Sequence, residues 1–501
     1  MNSFFINKLK ASEIKAIAHF TGIICIILGL FLLLPVGCAI IYNDSIRYLY
    51  SFIASAIISL VPGLILYYSY KDYKKTQLSL KGDLIFVFGI WGVAALLAGL
   101  PYYFSGTLGV IDSFFQAMSG ITTTGFSFIP ASRTPYSLAL WQALTQWLGG
   151  LGFIIFILVL VPTTGKLNQL YTAEGRTEQM TPNIRHTSII FIKLYLLISA
   201  IGVALYIMVG LDLFDSLCYM MAAIATGGFS IYPDSVGGFS SLPVQIVTII
   251  QMLLGSTNFI LIYRLIKGNF KAFYKDSETK TMFALIATAT ILITLSHLSS
   301  HTYGSDVFIT LRHALFQVIS VMSSTGFTST DINMWSPFCY HILIIVMFCG
   351  GGICSTAGGI KLYNIYLLLK SVWWEGQTIF LPKNSVNVKK VQHDGRNIEL
   401  SYTEIRPIIM YIIAYLLIFV VSATIILVFC NDIQVAYALS ASAIGNIGVG
   451  PEYINVGAPA VVKLVMILEF WIGRIGVWPI LLVVVYEINK LNSVISKRNS
   501  N

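Results

Sequence analysis

Four short polar turns, each carrying a glycine, give this chain its clearest chemical signal. A Ser, Thr or Asn opens every turn, and the glycine follows two residues later. The turns contain Thr123, Thr124 and Gly125; Thr226, Gly227 and Gly228; Ser324, Thr325 and Gly326; and Asn446, Ile447 and Gly448. Glycine adopts backbone conformations that a side chain blocks. Carbonyl oxygens held by such turns can replace the hydration shell of an ion. The turns therefore indicate cation coordination by backbone oxygens.

A short apolar run precedes each turn. These runs cover about residues 112–123, 214–226, 307–324 and 433–446. They are too short to cross a bilayer. We therefore predict re-entrant half-helices, which are tolerated at membrane depth only where they are buried in protein or line a cavity. Their C-terminal, negative ends would point at the cavity and favour a cation there.

A long apolar segment with a further glycine follows each turn. These glycines are Gly149, Gly255, Gly352 and Gly473. The unit of helix, half-helix, turn and helix thus occurs four times, and such internal repeats carry strong information about architecture. The alternative is that the turns are ordinary loops in which Gly and Thr relieve helix ends. Ordinary loops, however, have no reason to share placement and residue types.

Composition places these repeats in a membrane. Of the 501 residues, 56% are hydrophobic and 11% are charged, whereas a soluble domain carries about 25% charged residues. We predict an all-α integral membrane protein with four helix–pore-loop–helix repeats around one pore and two extra N-terminal transmembrane helices. The predicted spans cover about residues 18–42, 47–70, 83–104, 137–162, 187–210, 243–266, 281–300, 340–372, 406–430 and 461–489.

The repeats divide the chain into five parts. We expect an N-terminal two-helix domain at 1–75, followed by pore repeats at 76–165, 166–270, 271–375 and 376–501. The third repeat, 271–375, would include an interrupted segment that acts as an intramembrane gate loop, and the fourth repeat would include the C-terminal tail.

The placement of charge predicts the topology. Most of the 31 Lys and Arg residues fall in alternate loops and in the two terminal segments. By the positive-inside rule, both termini are expected in the cytoplasm. Because the basic residues are spread over loops, nucleic-acid binding loses its support despite the net charge of +9. The opposite side carries more acidic than basic residues. An acidic mouth would concentrate cations, but depletion of basic residues outside is an equally good explanation.

The four turns resemble the selectivity filter of the Trk/Ktr/HKT superfamily of potassium-translocating membrane proteins. The segments 350–361, 146–152, 180–182 and 472–476 add to the resemblance, which covers nearly the whole chain. The two extra N-terminal helices resemble the Trk type more than the shorter Ktr type.

The resemblance implies a potassium pathway in the bacterial cytoplasmic membrane. Each repeat would donate one filter strand, with key glycines at 125, 228, 326 and 448. Family members with Ser at the first of these positions tend towards sodium, so Gly125 implies potassium as the main ion. The fourth turn departs from the pattern because Asn446 and Ile447 replace a Thr-rich pair. No organic cofactor is expected on this chain.

An interruption in the eighth span is the predicted gate. Residues 350–359 hold five glycines, and each Gly costs a helix about 1 kcal/mol relative to Ala. The resemblance implies an intramembrane loop here, below the filter, that obstructs the cytoplasmic pathway. The gate residues would be Gly350, Gly351, Gly352, Ser355, Thr356, Gly358, Gly359, Lys361 and Arg474. The alternative for the glycines is close helix packing through small residues.

The two basic gate residues have alternatives of their own. Arg474 lies inside the last predicted helix, where an ionisable residue is expensive and suggests function. It could bond loop carbonyls or repel cations, but it could also form a structural pair with Glu469. Lys361 closes the loop and could equally serve as an interfacial anchor.

The resemblance also implies partners. We expect a homodimer in the lipid bilayer and a cytosolic ring of nucleotide-binding domains docked on the loops 163–193, 264–280 and 370–406. The chain carries no GxGxxG fingerprint opening a soluble βαβ unit, so nucleotide would bind the partner.

Two alternative functions remain: a proton- or sodium-coupled secondary cation transporter, and a non-transporting membrane assembly subunit. Motifs of common enzyme classes are missing from the sequence.

Overall fold

We describe the fold from a computed structural model that covers residues 9–152, 184–380, 390–393, 396–400, 402–451 and 453–480. Nearly all regular structure in these ranges is helical. The helices are α1 (Ala11–Phe31), α2 (Leu33–Ile41), α3 (Ile46–Ser69), α4 (Leu80–Phe104), α5 (Val110–Ile121), α6 (Tyr136–Leu151), α7 (Ile184–Met208), α8 (Leu213–Ile224), α9 (Leu242–Ser256), α10 (Phe259–Ile266), α11 (Phe270–Lys275), α12 (Ser277–Ser299), α13 (Val307–Met322), α14 (Pro337–Met347), α15 (Leu362–Phe380), α16 (Tyr402–Cys430), α17 (Ile433–Ile444) and α18 (Ala460–Ile475).

Six helical segments in the described ranges are long and apolar enough to cross a membrane. They are the stretch formed by α1 and α2, then α3, α4, α7, α12 and α16. Large apolar side chains such as Ile41, Met208 and Val428 are mostly exposed on their outer faces. Apolar side chains on the outside and small or polar ones inside are typical of a protein that uses lipid as its solvent. The predicted all-α membrane fold is confirmed.

Short helices occupy the four predicted half-helix positions. They are α5, α8, α13 and α17, and each ends one or two residues before the polar turn. Each follows a long helix (α4, α7, α12 or α16) against which it packs. An Asp caps α8, α13 and α17 by accepting backbone N–H groups with its side chain, which satisfies donors that have no partner within the helix.

The predicted continuous span 243–266 is corrected by the structure. It consists of α9 and α10, which are bent by 107°. Thr257 is extended between them, and the Asn258 side chain accepts the backbone N–H of Ile260 at 2.9 Å, which caps a new helix. In the sequence, the polar run Gly255-Ser256-Thr257-Asn258 indicates this break between two helices.

The second long helix of every repeat is interrupted at a similar place. Helix α6 ends before Gly152 and α18 ends before Gly476, and both glycines have positive φ. The chain is also non-helical between α14 and α15, as predicted for the eighth span. A break therefore interrupts each of two predicted spans, at Gly152 in 137–162 and at Gly476 in 461–489. The last parts of these spans, 153–162 and 481–489, lie outside the described residues.

A few short strands and 3₁₀ turns complete the described structure. Strands β2 (Lys390–His393) and β3 (Arg396–Glu399) form an antiparallel hairpin between α15 and α16. A short strand, β1 (Thr302–Ser305), precedes α13, and single 3₁₀ turns occur at Lys71–Tyr73, Ala131–Arg133, Ser235–Phe239 and Ile332–Met334. The sequence prediction had not included the hairpin.

Candidate cation pathway

The four half-helices end in the same hydrogen-bonded cap. At the end of α5, the N–H of Thr123 donates to the Gly120 carbonyl and that of Thr124 to the Ser119 carbonyl, at 3.0 and 2.8 Å. This is the Schellman pattern. The corresponding bonds recur at Thr226 and Gly227, at Ser324 and Thr325, and at Asn446 and Ile447. Four matching caps support a common origin of the four repeats.

Backbone strain is concentrated at the first residue of each turn. Thr123, Thr226, Ser324 and Asn446 all have φ between 54° and 58°. This left-handed region normally belongs to glycine, and a side chain held there costs of order 1–3 kcal/mol. Two residues later, the glycines at 125, 228, 326 and 448 have φ of 95°, 75°, 84° and 80°. The chain thus bends twice in each turn, and the same unusual backbone is built four times.

The structure brings the four turns together in a closed ring. A Cβ on any of the four glycines would lie within 3.0 Å of a carbonyl oxygen in the next turn, a distance that real Cβ atoms essentially never show. These contacts join Gly125 to the Gly227 oxygen, Gly228 to that of Thr325, Gly326 to that of Ile447, and Gly448 to that of Thr124. Because the fourth turn contacts the first, the turns surround one axis.

Burial differs between the residues of each turn. The residues before the key glycines, such as Thr123 and Thr124, are buried, whereas all four glycines are partly exposed. In each turn, the partly exposed residue is thus the glycine, which has no side chain.

Side chains from neighbouring repeats brace the ring. Gln146 of α6 donates from Nε2 to the Gly227 carbonyl at 2.6 Å, and its Oε1 accepts the Phe229 N–H at 3.2 Å. Asn446 donates from Nδ2 to Thr124 Oγ1 and to the Phe470 carbonyl, both at 2.9 Å. The amide that departs from the Thr-rich pattern thus links the fourth turn to the first. Sequence reasoning missed the role of Gln146, although it lies in a motif that carries the family resemblance.

The glycines of the second helices support the half-helix ends. Gly149 contacts the Ile121 carbonyl, Gly255 that of Ile224, and Gly473 that of Ile444 so closely that none could carry a Cβ in place. The expected fourth member, Gly352, does not follow this pattern. It lies in the interrupted segment, beside Asn258.

Residues 348–361 form a loop that closes on itself. Gly350 donates its N–H to the Ile360 carbonyl at 2.8 Å, and Leu362 donates to that of Gly351 at 3.1 Å. Lys361 folds back and donates from Nζ to the Ala357 carbonyl at 2.6 Å. The glycines are needed because Cβ atoms at 350, 351 and 358 would lie within 3.0 Å of neighbouring atoms. We call residues 348–361 the intramembrane loop.

The intramembrane loop is bonded to the break between α9 and α10. The N–H groups of Gly352 and Thr356 donate to the carbonyls of Ser256 and Gly255, at 2.8 and 3.1 Å. The Ile353 N–H donates to Glu278 Oε1 at 2.8 Å. Of the remaining predicted gate residues, Ser355 donates its hydroxyl to Gly352 within the loop, and Gly359 supplies a positive φ of 69° at the closing end.

Thr356 and Gly358 place the intramembrane loop directly against the ring. Thr356 Oγ1 lies 2.9 Å from the Ile224 carbonyl oxygen and 3.3 Å from Thr226 Oγ1. Gly358 lies against the Asn446 side chain. The loop therefore contacts the base of the second and fourth turns.

Arg474 joins the loop to the first repeat. Its Nη1 donates to the Thr356 carbonyl and, at 3.3 Å, to Thr123 Oγ1. Its Nη2 donates to the carbonyls of Gly149 and Gly150, at 2.5 and 2.9 Å. Glu469, the alternative partner, accepts from the Ser440 hydroxyl. The guanidinium thus contacts the loop, the first turn and the end of α6 together.

Two acidic residues on the side opposite the basic loops are engaged by neighbouring side chains. Asp112 is paired with Lys463 at 2.6 Å, and the lysine lies over the Phe128 ring. Asp215 accepts the Tyr232 hydroxyl at 2.7 Å, which raises the pKa of Tyr232 to about 12. Because Lys463 neutralises Asp112, this carboxylate adds little to any field at the mouth.

The TrkH family profile, described as a cation transport protein, matches residues 50–494. This chain belongs to the TrkH family. The superfamily resemblance seen in the four turns is thereby confirmed, and the chain is a multi-pass membrane protein of the Trk type.

Individual TrkH relatives match almost end to end. The Trk system potassium uptake protein TrkH of Escherichia coli is 29% identical over 480 residues, which cover 93% of this chain and 97% of that protein. An uncharacterised cation transporter of Methanocaldococcus jannaschii is 28% identical over 479 residues, 95% and 96% of the two chains. The crystal structure of the potassium transporter TrkH from Vibrio parahaemolyticus shares the fold, with a TM-score of 0.83, 24% identity, and coverage of 94% and 98%.

Proposed function

We propose that this chain mediates potassium uptake across the bacterial cytoplasmic membrane. The closed ring of four glycine turns carries the proposal, because it places backbone carbonyls around one axis. Such oxygens can take the place of water around a weakly hydrated cation. The E. coli relative is named as a potassium uptake protein, which supports potassium as the ion.

The filter is assigned to the residues of the four turns. The carbonyls of Thr124, Gly227, Thr325 and Ile447 each meet the glycine of a neighbouring turn, so their spacing is fixed by backbone contacts around the whole ring. The C-terminal ends of α5, α8, α13 and α17 meet the ring and add the negative ends of four helix dipoles. A cation at the axis would be held by partial charges only. Such binding suits rapid release as well as entry.

The gate is assigned to the intramembrane loop and Arg474. The loop contacts the base of the ring through Thr356 and Gly358, and Arg474 bonds it to the first repeat. A positive guanidinium beneath the ring would also repel a cation. Opening would require these charge-assisted hydrogen bonds to break, and bonds of this kind contribute about 1.5–3 kcal/mol each.

The assembly follows from the family resemblance. We propose a homodimer with one pathway per chain, both termini in the cytoplasm, and the division at 1–75, 76–165, 166–270, 271–375 and 376–501. A cytosolic ring of nucleotide-binding domains would dock on the loops 163–193, 264–280 and 370–406 and move the gate. Residues 163–183, 381–389, 394–395 and 401 of these loops lie outside the described ranges.

Electrophysiology of the purified protein tests the transport proposal. The protein is reconstituted in planar bilayers under bi-ionic potassium and sodium gradients, with and without its cytosolic partner. We expect a reversal potential set by potassium. A reversal potential that shifts with pH at constant potassium would instead favour proton coupling. A well-expressed protein that moves neither potassium nor rubidium with its partner present would overturn the proposal.

A further inference from the structure

Three side chains that can bind metals lie close together, and one of them is hydrogen-bonded to the intramembrane loop. They are Asp276 and Glu278 at the start of α12, and His393 at the end of β2. One ligand atom from each lies within 4.8 Å of the other two. Only 0%, 2% and 4% of these residues' surfaces are exposed, so the cluster is sealed from solvent rather than spread over a surface.

The separation between His393 and Asp276 suits a shared metal ion. His393 Nδ1 lies 3.5 Å from Asp276 Oδ1, which is longer than a normal N–H···O hydrogen bond of about 2.7–3.2 Å. Two ligands that each bind zinc at about 2.0–2.2 Å in tetrahedral geometry lie roughly 3.4 Å apart. The observed distance fits two ligands of one metal ion, and it also lies within the range of a direct ion pair.

The surrounding contacts hold each ligand in position. Asp276 uses Oδ2 to accept the N–H groups of Glu278 and Thr279, which leaves Oδ1 turned to His393. The His393 ring stacks on Tyr363, with centroids 4.0 Å apart. The Ser277 hydroxyl donates to the Gln392 carbonyl at 2.5 Å and fixes β2 against α12. Orientation of ligands by such neighbours is typical of metal sites.

We propose that Asp276, Glu278 and His393 bind a divalent transition-metal ion of the zinc class. A neutral imidazole and two carboxylates are ligands that zinc accepts, and the two negative charges balance the ion. The chain supplies three ligands, as in open zinc sites where water completes the shell. The hairpin and α12 would then be joined by the metal.

The site also touches the intramembrane loop. Glu278 Oε1 accepts the Ile353 N–H at 2.8 Å, and its Oε2 accepts from Asn258 Nδ2 at 3.3 Å, at the break between α9 and α10. A metal ion held by Glu278 would therefore tie the hairpin to the loop and keep the loop in place. This second consequence rests on the proposed gate, whereas metal binding itself does not.

Direct binding tests the site without any transport assay. The full chain in detergent is stripped with chelator, incubated with Zn²⁺ and freed of excess ion, and bound zinc is counted by elemental analysis. Co²⁺ serves as a spectroscopic probe, because a tetrahedral site gives intense visible absorption. We expect about one zinc per chain.

Conservative variants separate ligation from folding. Asp276→Asn keeps a helix-capping side chain, Glu278→Gln keeps an acceptor for Ile353, and His393→Phe keeps a ring against Tyr363. Each should raise the zinc dissociation constant at least about tenfold. His341→Phe, at an exposed histidine, is the matched control and should bind zinc normally. Absence of bound zinc, or equal binding by all variants, overturns the site.

Flux measurements test the link to the loop. Zn²⁺ should lower rubidium flux through the original protein several-fold and leave flux through His393→Phe unchanged. Stoichiometric binding with no effect on flux overturns the link to the gate while the metal site stands. If the unmodified protein shows no rubidium flux even without zinc, that result would count against the proposed function and not against the metal site.

Discussion

Arg474 donates to the backbone carbonyl of Thr356 and so joins the last described helix to the intramembrane loop. The same guanidinium also contacts the carbonyls of Gly149 and Gly150. Carbonyls from two different repeats thus share one cation. In the proposed gate, this shared contact would hold the intramembrane loop against the first repeat.

Replacement of Arg474 tests the proposed gate. Arg474→Ala removes both the positive charge and the bonds to the loop. One charge-assisted hydrogen bond contributes about 1.5–3 kcal/mol and about 1.4 kcal/mol corresponds to a factor of ten, so basal rubidium flux without the partner should rise about tenfold or more. Arg474→Lys keeps the charge but loses the planar fork and should give an intermediate flux. Unchanged or lower flux in folded Arg474→Ala protein would contradict the gate assignment.

The Thr356 hydroxyl offers a milder test of the same contact. Thr356→Val keeps the shape of the side chain but removes the hydroxyl, whose single hydrogen is within reach of the Ile224 and Gly255 carbonyls. Such a hydrogen bond contributes about 0.5–1.5 kcal/mol, so basal flux should rise about three- to tenfold. Thr424→Val, at an exposed helical threonine, is the control and should change nothing. Equal flux in the two variants would show that the hydroxyl does not hold the loop.

A side chain at the first filter glycine should relax ion selectivity. Gly125→Ser places a Cβ within 3.0 Å of the Gly227 carbonyl oxygen, which must move and so disturb the ring. The potassium-to-sodium permeability ratio should fall, as measured by bi-ionic reversal potentials. Gly89→Ser is the control, because no heavy atom lies within 4 Å of its added Cβ. An unchanged ratio in Gly125→Ser would remove the filter assignment.

Breaking the buried pair of Lys463 and Asp112 by removing one partner should destabilise the protein. Lys463→Met leaves the Asp112 carboxylate buried without its cation, and breaking a buried pair in this way costs about 3–5 kcal/mol. The melting temperature in detergent should therefore fall clearly. The double variant Lys463→Met with Asp112→Leu should recover much of the loss. A double variant as unstable as Lys463→Met would show that the charge left behind is not the cause.

The sequence predicted the repeated elements because their signals are local. The apolar runs before Gly125 and Gly448 are too short to span a membrane, and the structure has α5 and α17 there. The bend after α9 was missed because residues 243–266 are apolar on average, and hydropathy does not register one well-placed Asn258 cap.

Contacts between distant repeats could not be predicted. Gln146 and Gly227 are 81 residues apart in sequence, and Arg474 and Gly149 are 325 apart. The pairing of Asp112 with Lys463 also escaped a charge count, because counting assigns charges to a side of the membrane and says nothing about which of them meet. Such contacts form only in the folded chain, where the four turns come together in the ring.

The closed ring of turns has an evolutionary consequence, because its four quadrants lie on one polypeptide. In a channel built from four identical chains, every substitution appears four times around the axis. Here one codon changes one quadrant, so Asn446 can reach across to Thr124 while the other three turns keep Thr or Ser at that place. Each quarter can therefore specialise separately, and the intramembrane loop on the third repeat and Arg474 on the fourth are features that a symmetric assembly could not confine to one side.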